Sequence, residues 1–271
     1  MAEIFNMRKK MILSSVLIFC ILPLYALAEP VEKDMVFFPA GEFVMGSPEG
    51  VGRKDEGPRH TVWLDGFYMD RYEVSGRDFE RYLEKFPKEY PTITGWYDRK
   101  VKPEMAERPV FGLSWKRCQN YCLRNDKRLP TEAEWERAAS GVEQRNYPWG
   151  SEEPNPELSN FGKCCFIMRG MALEPVKSYA KGKTPDGVFN LAGNIAEWVY
   201  DWYDKNYYKT SPYKNPMGPK KGKYHVIRGG AWNSLPVYLR NSARYGWDDA
   251  KDYYGIGCRC AKSAASAPAQ K

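Results

Sequence analysis

The sequence predicts a loop-rich α+β fold with short strands and about three helices, and three observations carry that expectation. Only three stretches set a Ser or Thr N-cap before apolar residues at helical spacing. The alternating apolar stretches that suit strands are short and are cut by glycine and proline, of which the chain has 23 and 20. Nine Trp and nineteen Tyr with few long aliphatic runs point to a core built from aromatic rings carried on loops.

The chain opens with Arg8-Lys9-Lys10, an apolar run from Met11 to Ala28 and the ending Ala26-Leu27-Ala28. These features predict a signal peptide over residues 1–28, cut after Ala28. The run is short for a spanning helix and contains Pro23, so no stable membrane span is expected after cleavage. The expected location is periplasmic or secreted. Cleavage removes Cys20 and lowers the net charge from +7 to +5. What remains is expected to be a single domain over 29–262 and a disordered tail over 263–271. Basic and acidic residues are interspersed, and Pro219–Lys223 reads as a solvated loop, which argues against a nucleic-acid partner.

Met35–Ser47 reads as two short strands around Pro39-Ala40-Gly41, and Thr61–Met69 as a further hairpin arm. Ser75 followed by Asp78 starts a helix with Phe79, Tyr82, Leu83 and Phe86 on one face, stopped by Pro87. Residues 89–108 lack a period and read as a long loop. Ser114 caps a second helix carrying Trp115, Cys118 and Cys122, and Thr131 with Glu134 forms a capping box for a third that buries Trp135, Ala138 and Ala139. Tyr147–Gly150 is an aromatic turn. Tyr224–Arg228 is a strand running into Gly229-Gly230-Ala231-Trp232, and Tyr254–Lys262 has the alternation of a last strand.

The stretch Gly187–Asp204 fits no clean period and reads as an irregular loop entering a short element. Asn190 and Glu197 offer side-chain oxygens, and the turn at Gly193 can aim backbone carbonyls at the same point, as a Ca²⁺ ion held at about 2.3–2.6 Å requires. The same asparagines equally suit Asx-turns, with Glu197 capping a neighbour. Six cysteines remain after cleavage: Cys118 and Cys122 share a helical face, Cys258 and Cys260 a strand face, and Cys164-Cys165 are adjacent. Sequence alone leaves their connectivity open. The adjacent pair suits a vicinal disulfide, a soft-metal site or an inert structural pair.

Taken together, Pro39–Gly46, Asp70–Val74, Val110–Trp115, Lys127–Ala139, Tyr147–Gly150, Phe189–Trp198, Arg228–Trp232 and Gly257–Ala261 resemble the formylglycine-generating enzyme (sulfatase-modifying factor) family in content and order. The resemblance implies a fold related to C-type lectins. It also implies a calcium site on the side chains of Asn190 and Glu197 with the carbonyls of Gly193 and Ile195. A second family calcium site would start at Asn160 and Phe161, but its acidic partner falls near Met168 and is missing. The family often joins the positions of Cys122 and Cys260 by a disulfide, which makes Cys118 to Cys258 the natural second bridge.

The family's oxidases hold Cu(I) on two cysteines just after the Arg-Gly-Gly-x-Trp segment. Here those positions fall near Pro236 and Asn241, within Ser234–Arg244, so the copper chemistry and formylglycine generation do not carry over. The preferred reading is a non-catalytic binding or accessory module with a groove around Trp232, Asn233, Tyr238, Arg240, Arg244 and Tyr245. Rings and guanidinium groups there suit a small molecule, a glycan or a protein ligand. The competing role for Arg240 and Arg244 is buried pairing, with Asp201 and Glu73 as candidate partners. The alternative function is a periplasmic oxidoreductase of the siderophore-maturation type, using Glu73 or Asp201 as general acid or base.

Overall fold

Each of the three expected helices begins where its hydroxyl cap lies. In the computed structural model, which describes residues 34–89, 96–97, 100–163, 172–248 and 255–264, α1 spans Gly76–Lys85, α2 Trp115–Leu123 and α3 Glu132–Ser140. Ser75 accepts from the amide of Asp78 at 3.1 Å, Ser114 from Arg117, and Thr131 with Glu134 closes a full capping box. Helix α1 buries Phe79, Tyr82 and Leu83, and Phe86 ends it before Pro87.

The strands are short and fall into four groups. β1 (Met35–Phe38), β2 (Gly41–Met45), β3 (His60–Leu64) and β4 (Phe67–Asp70) come first, followed by the two-residue β5 (Trp96–Tyr97) and β6 (Lys100–Val101). β7 (Ala196–Trp202), β8 (His225–Arg228), β9 (Arg244–Trp247), β10 (Ile256–Gly257) and β11 (Ala261–Ser263) complete the set among the described residues. The sheets run β1-β4-β11 and β10-β7-β8-β9, with β2-β3 and β5-β6 as separate ribbons.

Four expectations are corrected by the structure. Thr61–Met69 is two strands parted at Asp65-Gly66: β3 pairs with β2 and β4 with β1, so the first two strands lie in different ribbons. The buried positions change parity across the break, from Val62 and Leu64 to Phe67 and Met69, and the Asp65-Gly66 dipeptide is the turn signal that marks it. The last stretch is not one strand either. β10 lies parallel to β7 and β11 antiparallel to β4, and Cys258-Arg259-Cys260 crosses between the sheets. The ordered chain also continues past Lys262, since Ser263 ends β11 and the amide of Ala264 donates to Gly66 O at 2.9 Å. The long loop expected over 89–108 carries the paired β5 and β6 and a 3₁₀ turn at Pro103–Met105.

Strand β7 is the spine. Its Trp198 is fully buried and donates from Nε1 to Leu113 O at 2.8 Å, while Trp115 Nε1 reaches back to Val199 O at 2.8 Å. These two indoles pin the entrance of α2 to the central sheet. One apolar core lies between α1, α2 and that sheet, and a second surrounds Trp135 against β1 to β4. No helix among the described residues is long and apolar enough to cross a membrane. The expected signal peptide, Cys164-Cys165, Met168 and residues 265–271 lie outside the described residues.

Candidate functional site

The central loop turns sharply because Asn190, Gly193 and Asn194 take positive φ of 56°, 81° and 60°. Asn190 and Asn194 then point inward to one carboxylate. Asn190 Nδ2 donates to Glu73 Oε2 at 2.8 Å, and Asn194 Nδ2 to both Glu73 oxygens at 3.0 and 3.1 Å. Burial raises the Glu73 carboxyl to about 8 against the opposing charge of Arg259, and neighbouring Glu197 adds to the rise. Asn194 Oδ1 accepts from the Glu174 amide and from Asn160 Nδ2, each at 2.9 Å. The amides thus bolt three chain segments together.

Glu197 is held from two sides. Arg259 Nη2 donates to Oε1 at 2.7 Å, Arg259 Nε to Oε2 at 2.8 Å, and Trp135 Nε1 to Oε2 at 2.8 Å. This arrangement does not fit the calcium cage expected of Asn190, Gly193, Ile195 and Glu197. Both carboxylate oxygens already face N–H donors, a guanidinium lies against them, and Asn190 presents its amide nitrogen to Glu73. A cation would have to displace Arg259.

Two of the residues expected to form a ligand groove, Arg244 and Trp232, are withdrawn from the surface. Arg244 is wholly buried and forks onto Glu132 at 2.7 Å through both Nε and Nη2, so it is not a groove residue. Burial alone would raise Glu132, but Arg244 and Arg228 hold its carboxyl below the usual value. Trp232 is likewise withdrawn, with its ring in the core beside Ala231 and Ile227. Asn233 and Tyr238 are exposed, and Tyr238 meets Tyr245 edge-on at 5.5 Å while Arg53 lies over the Tyr245 ring. The arginine partners also differ from expectation. Arg240 forks onto Glu56 at 2.7 and 2.8 Å, whereas Glu73 faces the asparagines and Asp201 accepts from the Glu132 amide at 2.8 Å.

Around Arg240 lies a polar cavity of about 250 Å³ lined by Ser47, Ser242, Glu136, Arg145 and Tyr147 among others. Its floor is one network: Ser47 Oγ donates to Glu56 Oε2 at 2.7 Å and lies 2.6 Å from Ser242 Oγ, and Arg240 Nη1 reaches both hydroxyls at 3.3 Å. Glu136 accepts from the Gly46 amide at 2.6 Å and from Arg228 Nη2 at 2.5 Å, and burial keeps its carboxyl above the usual value. Asn241, at one of the two positions where the resemblance would put cysteine, donates to Ala139 O and Arg145 O, and its amide to Asn146 O. A larger cleft of about 870 Å³, with Phe37, Leu123, Tyr200 and Met217 on its walls, includes none of the expected site residues.

Of the four described cysteines, Cys122 and Cys260 are joined across 138 residues with their Cα atoms 5.6 Å apart. Cys118 and Cys258 stand as free thiols buried in the same core, rather than as the expected second bridge. Sequence reasoning missed Glu56, Glu132 and Arg259 as anchors. Glu132 and Glu136, one helical turn apart on α3 and both withdrawn from water, were the readable signal: two carboxylates on one buried face require cations opposite.

Residues 25–264 match the sequence profile of the sulfatase-modifying factor enzyme 1-like domain. Serine/threonine-protein kinase pkn1 of Chlamydia caviae is 35% identical over 86% of this chain, but this chain spans only 38% of that protein. The formylglycine-generating enzyme of Mus musculus is 31% identical over 84% of this chain and 74% of its own length. Among solved structures, PvdO from Pseudomonas aeruginosa superposes with a TM-score of 0.69 at 24% identity, covering 85% of this chain and 94% of PvdO, and shares the fold. The chain belongs to the sulfatase-modifying factor enzyme 1-like family.

Proposed function

We propose that this protein is an exported, non-catalytic binding or accessory member of its family, which takes a small polar ligand in the cavity beside Arg240. One observation carries the reading. Ser234–Arg244, where the resemblance would put the copper-holding thiols, contains no cysteine, and the charged groups behind the cavity are consumed in closed pairs: Arg240 with Glu56, Arg228 with Glu136, and Arg244 with Glu132. A guanidinium locked onto a buried carboxylate is a poor acid, and each of these carboxylates already accepts hydrogen bonds from its arginine. Toward the cavity, hydrogen-bonding chemistry comes from the Ser47 and Ser242 hydroxyls, the Tyr147 ring, and the charged Arg59, Arg145 and Glu153.

Purified protein incubated with copper, oxygen and a sulfatase-derived cysteine peptide is expected to yield no aldehyde. A thermal-shift panel of glycans, carboxylates and peptides should give at least one hit that Ser242→Trp abolishes by filling the cavity. Aldehyde formation, or hits indifferent to Ser242→Trp, sinks the reading.

A further inference from the structure

We propose that Cys118 and Cys258 are a redox-reversible dithiol that closes on oxidation as a second rung beside Cys122–Cys260, clamping Arg259 between two cross-links. On α2, Cys118 lies four residues before Cys122, a rise of about 6 Å. Two residues of unwound chain, from Cys258 to Cys260, cover a similar span of about 6.6 Å. With Cys122 and Cys260 already joined, the pair one step earlier on each element falls into register. Both thiols are free and buried in the same core cluster as that bridge. The carbonyls of Cys258 and Cys260 both accept amides of the 70–74 segment, at 2.9 and 2.8 Å, while the intervening Arg259 turns the other way onto Glu197.

The oxidant is a disulfide, such as oxidised glutathione. One cysteine attacks it as thiolate and forms a mixed disulfide with loss of one thiol; the second cysteine then displaces the other, so two protons and two electrons leave the protein and the oxidant becomes two thiols. Both cysteines are buried, so the exchange runs through local opening or before the core closes. The bridge across 138 residues has already removed the long-loop entropy. A second rung encloses only a short ring, so its effect is local: it restrains the residue that neutralises Glu197.

The sequence offers a direct test. Trypsin frees residues 118–124 with both helix cysteines, and cuts after Arg259 to place Cys258 in 252–259 and Cys260 in 260–262. The full chain is treated with oxidised glutathione or with a mild thiol reductant, then alkylated in denaturant and digested without reduction. The expected oxidised product is 118–124 joined to both other peptides, and the reduced product is 118–124 joined to 260–262 alone, with Cys118 and Cys258 alkylated. Cys118→Ser should lose 252–259 and keep 260–262. Amide exchange at 255–261 should slow by about tenfold on oxidation. Alkylation of Cys118 and Cys258 after oxidant with Cys122–Cys260 intact overturns the proposal, as does a Cys118→Ser product that has lost 260–262. Unchanged exchange at 255–261 overturns the clamp.

Discussion

Arg259 forks onto Glu197 with both side chains withdrawn from water, Nη2 to Oε1 at 2.7 Å and Nε to Oε2 at 2.8 Å. The pair links the crossing between two sheets to the spine strand β7, and Arg259 Nη2 also donates to Phe189 O at 2.7 Å.

Arg259→Leu should therefore destabilise the protein by about 3–5 kcal/mol, because it leaves a buried carboxylate with Trp135 as its remaining side-chain donor. Replacing both partners by apolar residues of similar volume should recover much of that loss, since no uncompensated charge is left inside. Denaturant midpoints of the single and double variants measure the difference. A single variant within about 1 kcal/mol of the parent contradicts the anchoring role.

Stability should also fall as pH rises through neutrality, and Glu73 is the reason. Its folded carboxyl titrates near 8 against an ordinary value of 4.5, so the fold retains a proton that the unfolded chain has released. For a raised acid the sign is fixed: the contribution is complete below about pH 4.5 and is lost progressively toward about pH 8, on the order of a few kcal/mol. Glu73→Gln should flatten that slope whatever it does to absolute stability. Parallel slopes for parent and variant, measured by denaturation between those limits, would reject Glu73 as the source.

The fold was legible where local chemistry decides structure. Ser75, Ser114 and Thr131 mark their helix starts because a hydroxyl that satisfies an amide leaves the same trace in any context. The break at Asp65-Gly66 carries a local turn signal, but the pairing of β3 with β2 and β4 with β1 and the sheet switch at Arg259 were not legible, since these depend on partners far along the chain. The site shows the same division. The missing cysteines between Ser234 and Arg244 are visible in the sequence itself, whereas the fate of Arg244 depends on Glu132, 112 residues away. Arginines beside an expected groove look alike whether they read a ligand or fill the core, and only three-dimensional pairing separates them.

Gly193→Ala should be strongly destabilising. The backbone there has φ +81°, and an added Cβ would lie 2.3 Å from Ser159 Oγ and 2.4 Å from Asn160 O. Strain of about 1–3 kcal/mol from the left-handed backbone adds to the clash, which the loop can relieve only by giving up the Asn194 amide bond to Asn160 O. Urea denaturation should place the variant at least about 2 kcal/mol below the parent. A neutral result would mean that the loop moves freely at this turn.

Removing calcium should leave stability unchanged. An ion that binds only the folded chain adds about 4 kcal/mol at a thousandfold excess over its dissociation constant, a shift of several degrees in the melting midpoint. Here the carboxylate that would supply the ion's negative charge is already matched by Arg259, and Glu73 is matched by two amides. A divalent ion entering this loop would have to expel a guanidinium from a dry interior, leaving that charge unpaired in turn. Melting curves in chelator and in calcium should therefore coincide. A calcium-dependent rise that Glu197→Gln removes would put the cation back at the centre of the loop and make Arg259 the residue that moves.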